Sequence, residues 1–321
     1  MVKSTAQPEK ESVVLSVIIV NYNGLKFLDS CLDSIQRNLS LSHEIIVVDN
    51  DSTDGSVEYL RERWPGVITI KSGENLGFAK GNNLGVSSAS GTFYLLINND
   101  TEVRESLDPI VGYLEQNQQV GLVGGRLRNP DGTIQPSAGY DHTMGRLWFT
   151  WMVPAHLPFL NGWQLFENRP QFYDQTHHEV DWVSGAFMCI RKSIWNEVGG
   201  FDPDIFMYVE DEDLCCRIRS LGYNVAFYAG CDTTHFEGGG AKGLSAHALS
   251  ATVDSYRLLL KKRSGTLYRA ITCTGLAAIF MIRACLYRLT GILRSDGVNK
   301  NKAKFFFLNA KRLVGFEGKI V

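Results

Sequence analysis

Residues 13–23 read VVLSVIIVNYN, a nearly uninterrupted run of β-branched and apolar side chains that ends in polar residues and an Asn-Gly turn at 23–24. Such a run is typical of a parallel strand buried on both faces. The segment that follows, KFLDSCLDSIQRN at 26–38, places its apolar side chains at helical spacing, and HEIIVVDND at 43–51 supplies a second buried strand. Together these segments predict a right-handed β-α-β unit.

The same alternation continues towards residue 100. It predicts a helix over 56–64, a strand over 67–72, a helix near 79–89 and a strand over 92–100. A polar cluster follows each apolar strand, and in open α/β sheets the carboxyl ends of the strands form the ligand-binding edge. We therefore expect the functional residues to gather at one edge of a mostly parallel sheet.

The second half of the chain has a less regular pattern. Residues 140–180 are rich in Trp, Phe, Pro and His without clear periodicity, which predicts a long irregular insertion. The remaining segments predict a strand before a helix that starts at 192–193, a helix over 207–222, a strand over 223–230 and a flexible glycine-rich segment over 231–243.

Composition indicates one large domain with an appendage. The chain has 321 residues and is 44% hydrophobic, enough for a sizeable core. Residues 1–12 (MVKSTAQPEKES) are polar and lack the features of a signal peptide, so we expect them to be disordered and the protein to be cytoplasmic. The seven cysteines contain no C-x-x-C pair, which favours reduced thiols over disulfides or structural zinc.

Charge is divided unevenly along the chain. Residues 257–321 contain fourteen Lys and Arg against two acids, a net of +12, so residues 1–256 carry −14 of the total of −2. The apolar or small-residue run at 270–282 within this tail has thirteen residues, fewer than the ~20 that a membrane span requires. Basic residues flank it, which predicts an amphipathic helix lying on an anionic membrane surface, with packing against protein as the alternative.

Two clusters near the predicted edge suit a nucleotide. Asp49, Asp51 and Asp54 follow a strand directly, where carboxylates can accept hydrogen bonds from a base or a ribose hydroxyl. The segment NLGFAKGNNLG at 75–85 combines three glycines with Lys80, which suits close approach to phosphates. The alternative for the first cluster is a turn that caps the next helix.

A metal site is predicted after the strand at 92–97. Asn98 and Asp100 alternate along the chain, so their side chains lie on the same side and can converge on one cation. Oxygen ligands of this kind suit Mg²⁺ or Mn²⁺. His235 is a candidate nitrogen ligand for the same ion; a turn without metal and an ordinary buried histidine are the alternatives.

Four consecutive acids read EDED at 210–213 within a segment that is otherwise apolar. Like charges at close quarters persist where a cation or a reacting proton compensates them. One of these carboxylates can serve as a general base. Helical spacing places Glu210 and Asp213 on one face and Asp211 on another, and a solvated helix start is the alternative.

The order of these motifs resembles glycosyltransferase family 2, especially its rhamnosyltransferase-like members of bacterial polysaccharide assembly. The resemblance rests on seven segments: VIIVNYNG, VVDNDSTDGS, NLGFAKGNNLG, LLINNDT, WVSGAFMCIRK, GGFDPDIFMYVEDEDLCCRI and H-x-x-G at 235–238. It implies an α/β GT-A (nucleotide-diphospho-sugar transferase) fold, a mostly parallel Rossmann-like sheet flanked by helices with a C-terminal helical appendage. It also implies an inverting displacement and a donor diphosphate held by Mg²⁺ or Mn²⁺.

The resemblance carries roles over to matching positions. Residues implied to hold or border the nucleotide donor are Tyr22, Asn23, Asp49, Asp51, Lys80, Asn82, Asn98 and Asn99. The implied metal ligands are Asp100, His235 and Asn98, where many family members carry Asp and rhamnosyltransferase-like members also carry Asn. Asp211 corresponds to the catalytic base, and Trp182, Gly185 and Glu210 to the sugar and acceptor site.

These roles lead to a division of the chain and a set of partners. We expect a GT-A catalytic domain at 13–255, with a nucleotide-binding half at 13–100 and an acceptor-binding half at 101–255, followed by a basic amphipathic helical tail at 256–321. The expected partners are a nucleotide diphosphate sugar, a glycan or lipid-linked acceptor and the inner face of the cell membrane. Nucleic acid is not expected, and a homodimer is left open.

Several alternatives for the reaction remain at this point. Within glycosyl transfer, a dTDP-rhamnose donor competes with a UDP-hexose, UDP-galactofuranose or UDP-N-acetylhexosamine. A nucleotidyltransferase is a remote alternative, because it would be expected to carry a glycine-rich basic loop after the first strand, where this chain reads NYNGLKF. A non-catalytic binding protein would be expected to have a degraded acid cluster, and the cluster at 210–213 is intact.

Overall fold

The structure is a computed structural model that describes residues 12–153, 163–236, 246–293 and 297–315. The N-terminal part alternates strands with helices as predicted. Its elements are β1 (Leu15–Asn21), α1 (Leu25–Asn38), β2 (His43–Asp49), α2 (Ser56–Arg63), β3 (Ile68–Lys71), α3 (Gly77–Ser87) and β4 (Phe93–Ile97). The four strands are parallel in the order β3-β2-β1-β4, which brings the carboxyl ends of β1, β2 and β4 to one edge.

The second part of the chain completes the sheet with strands of both directions. Its elements are β5 (Thr101–Val103), α4 (Asp108–Gln116), β6 (Val120–Arg128), β7 (Ile134–Gln135), β8 (Ala138–Gly139), α5 (Met144–Met152), α6 (Pro170–Tyr173), β9 (His177–Val180), β10 (Trp182–Val183), β11 (Phe187–Arg191), α7 (Lys192–Val198), α8 (Glu210–Ser220) and β12 (Asn224–His235). The sheet continues from β4 as β11-β6-β12-β5, with β11 antiparallel to both of its neighbours and β12 parallel to β6.

Helices cover both faces of the sheet and form two buried apolar clusters, one on each side. Strand β1 lies at the centre and is buried along almost its whole length. Helix α3 approaches it closely at Gly85, where an added Cβ would lie 2.5 Å from Cγ2 of Ile18. A glycine is therefore required at this position for the helix to pack at its observed distance from the sheet.

Three C-terminal helices form a third buried cluster with the insertion that follows β8. They are α9 (Ala246–Arg263), α10 (Thr266–Leu293) and α11 (Gly297–Leu313). Helix α10 packs against α5, where the indole N–H of Trp148 donates to the carbonyl of Thr272 at 3.1 Å and the Trp151 and Phe280 rings lie 5.0 Å apart. The expected boundary between residues 255 and 256 falls inside α9.

The prediction of an irregular insertion over 140–180 was wrong for much of its length. The segment contains α5, α6 and β9, and residues 154–162 lie outside the described part of the chain. Strand β9 pairs with β12, and the indole of Trp148 on α5 packs against Gly275 on α10. These elements are stabilised by distant partners, so local periodicity does not reveal them.

The predicted flexible segment that starts at residue 231 was also placed wrongly. Residues 231–235 extend β12, because Thr233, Thr234 and His235 pair with β5, and Thr233 and Thr234 pair with β6 on the other side. Backbone hydrogen bonds to two neighbouring strands therefore keep these residues extended, although their own sequence has little preference for a strand. The rest of the predicted segment, 237–243, lies outside the described residues.

Helix α10 extends beyond the apolar run of the tail at both ends. The thirteen-residue apolar run belongs to a 28-residue helix that is long and apolar enough, by length and composition alone, to cross a membrane. One such helix is weak evidence of a span, because core helices of soluble proteins have the same composition. One side of α10 is buried against α5, α9 and α11, so the helix is not a free amphipathic segment.

Candidate active site

The ends of three strands are joined by a hydrogen-bond network centred on Asn21. The Asn21 amide donates to Oδ2 of Asp49 at 3.1 Å, and its Oδ1 accepts from Nδ2 of Asn99 at 2.7 Å. Asp49 is almost fully buried and accepts a further bond from the backbone N–H of Ser52. Asn21 was missed by the sequence analysis, although its position as the first polar residue after the apolar part of β1 would have indicated it.

The loops above this network present exposed groups. Asn23 and Asp51 adopt left-handed backbone conformations with φ of 50° and 68°. The Asn23 side chain accepts a hydrogen bond from the N–H of Thr53 at 2.8 Å, which ties the β1 loop to the β2 loop. Tyr22 is 53% exposed, and Asp51 is also exposed. An exposed aromatic ring and an exposed carboxylate, that of Asp51, therefore lie on two adjoining loops above the buried Asp49.

The glycine-rich segment forms the first turns of α3. Lys80 is exposed on this helix, whereas Asn82 is 1% exposed and donates to the carbonyl of Phe78 at 2.9 Å. The N-terminus of α3 is held towards β2, because the Asn50 amide donates to the carbonyl of Gly77 at 3.0 Å. Lys80 is thus accessible to a ligand at this edge, whereas the Asn82 amide is engaged within its own helix.

The predicted metal ligands converge. Nε2 of His235 lies 3.2 Å from Oδ1 of Asp100 and 3.1 Å from Nδ2 of Asn98, and the other ring nitrogen, Nδ1, lies 2.8 Å from Oε1 of Gln135. His235, Asp100 and Gln135 are buried. Within the described ranges, no group of three or more His, Cys, Asp and Glu side chains is placed to hold a metal.

The donor set nevertheless fits a hard divalent cation. Cis ligands of an octahedral ion at ~2.1 Å are about 3.0 Å apart, close to the separation of Asp100 Oδ1 and His235 Nε2. Two protein ligands are sufficient for Mg²⁺ or Mn²⁺ when a diphosphate and water supply the other positions. Asn98 directs its N–H₂ group at His235, so its amide would rotate to offer Oδ1 to a cation.

The four acids of the cluster lie in four different environments. Asp211 accepts from the backbone N–H of Gly185 at 2.9 Å, and burial together with the charge of Glu212 raises the pKa of Asp211 to about 6. Burial and the neighbouring Asp211 raise the pKa of Glu210 well above its usual value. The Oε2 atom of Glu210 is buried without a hydrogen-bond partner, so the carboxyl group of Glu210 favours the protonated form.

The other two acids are paired with bases. Asp213 accepts from Arg217 at 2.7 Å and from Arg263 of α9 at 2.7 Å, and it is almost fully buried. Oε2 of Glu212 contacts Nε2 of His142, and this nitrogen also lies 3.1 Å from the hydroxyl of Tyr256. The predicted shared face of Glu210 and Asp213 is therefore not a shared site, because α9 and the insertion occupy the space around Glu212 and Asp213.

The residues assigned to the sugar side occupy different positions relative to Asp211. Gly185 adjoins Asp211, and an added Cβ would lie 3.5 Å from the Asp211 Cβ and 3.1 Å from the Phe78 ring. Trp182 is buried, and its indole N–H donates to the carbonyl of Tyr140 at 3.1 Å. The absence of a side chain at Gly185 therefore allows the Asp211 carboxylate to reach the backbone N–H of Gly185. Trp182 instead packs in the interior and binds the backbone of Tyr140.

The loop before α8 has an unusual backbone. Tyr208 and Val209 adopt left-handed conformations with φ of 66° and 72°, which is rare for a β-branched residue. The loop is held on both sides, because Phe78 N–H donates to the Phe206 carbonyl and the Ser255 hydroxyl of α9 donates to the Met207 carbonyl at 2.9 Å. The predicted helix start at 207 was wrong, since these conformations delay α8 until Glu210.

Solved glycosyltransferase structures share this architecture. The mannosyltransferase PcManGT from Pyrobaculum calidifontis, in complex with GDP-Man and Mn²⁺, has a TM-score of 0.55 at 16% identity, over 94% of this chain and 88% of that one. The likeness establishes the fold. The protein is of the GT-A class, the fold of nucleotide-diphospho-sugar transferases, as the sequence predicted.

The chain belongs to glycosyl transferase family 2, because the family's sequence model matches residues 16–198. It is therefore a glycosyltransferase. Among its relatives is the N-acetylglucosaminyl-diphospho-decaprenol L-rhamnosyltransferase of Mycobacterium tuberculosis, 25% identical over 88% of this chain and 95% of that protein. The rhamnosyltransferase WbbL of Escherichia coli is 23% identical over 77% of this chain and 93% of its own length.

Proposed function

We propose that this glycosyltransferase is an inverting, metal-assisted enzyme of cell-surface polysaccharide synthesis that transfers rhamnose from dTDP-rhamnose to a glycan or lipid-linked acceptor. Two relatives named rhamnosyltransferases, each matched over most of its length, support the donor and the acceptor class. The observation that supports the mechanism is the short backbone connection between Asp211 and the predicted metal ligand Asn98. Gly185 donates to Asp211, and the next residue, Ala186, accepts from the backbone N–H of Asn98 at 3.1 Å.

The nucleotide of the donor fits the ends of β1 and β2. The buried Asp49 carboxylate can accept from the base or ribose, and the exposed Tyr22 ring offers an apolar face for the base. Asn21, Asn23 and Asn99 fix the loops that carry these groups. Lys80 on the first turns of α3 supplies a positive charge for the diphosphate.

Asp100, His235 and Asn98 would hold a divalent cation against the diphosphate. When bound, such a cation neutralises the negative charge that develops on the leaving nucleoside diphosphate. The adjoining polypeptide is fixed, since Phe236 N–H donates to the Asp100 carbonyl at 2.9 Å and Thr101 Oγ1 donates to the Asn98 carbonyl at 2.7 Å. The backbone that carries Asn98 and Asp100 is therefore held in position before the donor arrives.

Asp211 would act as the base for the acceptor. Its carboxylate takes the proton of the attacking hydroxyl, the hydroxyl oxygen forms a bond to the anomeric carbon, and the bond from that carbon to the diphosphate oxygen breaks. Attack from the face opposite the leaving group inverts the anomeric configuration. The raised pKa of about 6 makes Asp211 a stronger base than an exposed aspartate while leaving it mostly ionised at neutral pH.

A panel of nucleotide sugars tests the donor and the reaction class. We expect dTDP-rhamnose to give the fastest metal-dependent hydrolysis and the strongest saturation-transfer NMR signals. Faster turnover of a UDP-hexose, UDP-galactofuranose or UDP-N-acetylhexosamine would show that dTDP-rhamnose is not the preferred donor. The assignment as a glycosyltransferase would be unaffected. Release of pyrophosphate instead of a nucleoside diphosphate would identify a nucleotidyltransferase, and retained anomeric configuration in the product would exclude inversion.

We further propose that the C-terminal helices bind the cytoplasmic face of the membrane. The exposed side of α10 is apolar and includes Ile271, Ile282, Leu286 and Leu289, each at least 45% exposed. Helix α11 adds exposed lysines beside it. An apolar face next to cationic side chains suits the water–lipid interface of a membrane leaflet with anionic lipids. Each lysine near such a surface contributes ~1 kcal/mol to the free energy of membrane binding.

Liposome co-sedimentation tests this surface. The full chain is expected to sediment with anionic liposomes in low salt and less in high salt. Reversal of two exposed lysines, Lys300→Glu with Lys304→Glu, is expected to weaken binding by roughly 30-fold, at about 1 kcal/mol per lysine. The matched control reverses two exposed arginines of α2, Arg61→Glu with Arg63→Glu, and should bind normally. Failure of the full chain to sediment would exclude the membrane surface.

A further inference from the structure

The imidazole of His235 is held from both ends. Nδ1 faces Oε1 of Gln135 at 2.8 Å, and Nε2 faces Nδ2 of Asn98 at 3.1 Å and Oδ1 of Asp100 at 3.2 Å. Gln135 lies on the short strand β7 and is 5% exposed. Gln135 is 100 residues away from His235 along the chain, and no sequence motif points to it.

The orientation of the Gln135 amide is fixed by a turn. Its Nε2 donates to Oδ1 of Asn129 at 3.2 Å, and the Asn129 amide in turn donates to Oγ1 of Thr133 at 3.0 Å. The turn is closed by backbone bonds between Asn129 and Thr133 at 2.8 Å and between Gly132 and Asn129 at 2.9 Å. Because the N–H₂ end of Gln135 points at Asn129, its carbonyl oxygen is the end that faces His235.

This arrangement selects one form of the neutral imidazole. A carbonyl oxygen only accepts hydrogen bonds, so Nδ1 of His235 carries the proton and donates it to Gln135. Nε2 then has a free electron pair, and the donating amide of Asn98 is a matching partner for it. The opposite tautomer would set an electron pair on Nδ1 against the Gln135 oxygen.

We propose that Gln135 is a positioning residue that keeps His235 in its Nδ1–H tautomer, so that the Nε2 electron pair can bind a divalent cation together with Asp100. This inference rests on the proposed metal site and adds the residue that prepares it. In the other tautomer, Nε2–H donates to Asp100 and occupies the position of the cation. A hydrogen-bonding partner behind a metal-binding histidine sets both its tautomer and its orientation.

The tautomer can be measured directly, without metal or substrate. The full chain is labelled with ¹⁵N-histidine, the His235 signals are assigned by their loss in His235→Asn, and the ring nitrogen shifts are recorded in chelator at pH 8.5. We expect Nδ1 to be protonated in the wild type and Gln135→Met to shift His235 towards the Nε2–H form. Gln135→Glu retains an acceptor and is expected to keep the wild-type tautomer. An Nε2–H form in the wild type, or an unchanged tautomer in Gln135→Met, overturns the inference.

Binding of Mn²⁺ alone, followed by electron paramagnetic resonance, links the tautomer to the cation. Gln135→Met is expected to weaken Mn²⁺ binding by about 10–100-fold, and Gln135→Glu to restore it. Unchanged binding in Gln135→Met but reduced binding in Asp100→Ala would overturn the role of Gln135 and keep the metal site. Unchanged binding in both variants would overturn the metal site itself.

Discussion

Asp211→Asn is expected to lower the turnover number by about 10²–10⁴-fold, the range typical of a lost general base. The asparagine Oδ1 can still accept from the N–H of Gly185, whereas the bond that the other carboxylate oxygen accepts from the N–H of Glu212 is lost. The donor site lies on other elements and should be retained. The amide cannot take a proton from the acceptor hydroxyl. The variant should therefore lose turnover while its affinity for the donor, measured by calorimetry, changes little.

The pH dependence of turnover gives an independent test of the proposed role of Asp211. As the proposed base, Asp211 would act in its ionised form, and its pKa is raised to about 6, so wild-type turnover should fall as the pH decreases through about 6. The residual activity of Asp211→Asn should lack this acidic limb. Asp33→Asn is a matched control, because Asp33 is an exposed carboxylate of α1 that pairs with Arg37.

Near-normal turnover of Asp211→Asn would remove Asp211 from the role of base. Glu210 would then be the next candidate, since its carboxyl group is buried and one oxygen has no hydrogen-bond partner. Asp213 is not an equivalent candidate, because Arg217 and Arg263 engage its carboxylate.

Asp100→Ala is expected to reduce kcat/KM by on the order of 10²–10³-fold, corresponding to several kcal/mol of lost charge stabilisation at the leaving diphosphate. Wild-type transfer should stop in EDTA and return with Mn²⁺ or Mg²⁺, whereas the variant should not recover at the same metal concentration. Steady-state assays over a series of metal concentrations measure both effects.

Asn98→Asp is the informative companion to Asp100→Ala. A carboxylate at position 98 would face Nε2 of His235, where the amide nitrogen now lies at 3.1 Å, and should tighten Mn²⁺ binding if residue 98 contacts the ion. Full wild-type activity in EDTA would exclude a role for the cation. It would also leave Asp100 and His235 as a buried polar pair without a catalytic metal.

Much of the N-terminal half followed from local patterns. The apolar runs of β1, β2 and β4 are long enough to specify buried parallel strands, and polar residues mark their ends, with Asp49 the last residue of β2 and Asp100 just beyond β4. Parallel order then brings their ends together by geometry. The clustering of Asn98, Asp100 and His235 was predicted, although their binding of a cation remains a proposal.

The partners of these residues could not be predicted in the same way. Gln135 reaches His235 through the β6–β7 hairpin, and His142 reaches Glu212 from a segment without periodicity. Arg263 reaches Asp213 from α9, fifty residues further along the chain. Each contact joins positions that are distant in sequence, and a single polar residue carries no signal of the side chain it will meet.

The left-handed backbone at Tyr208 and Val209 bears on how this enzyme can be recombined with its relatives. The hydroxyl of Ser255 holds the Met207 carbonyl, and Val209 packs in the apolar cluster formed with α9 and α10. Helix α9, part of the C-terminal segment proposed to bind the membrane, therefore helps to fix the start of α8, which carries the proposed base. In a chimaeric enzyme the fusion point therefore belongs after Ser264, beyond the Arg263–Asp213 ion pair. Helices α8 and α9 then come from the same parent enzyme, and their contacts are retained.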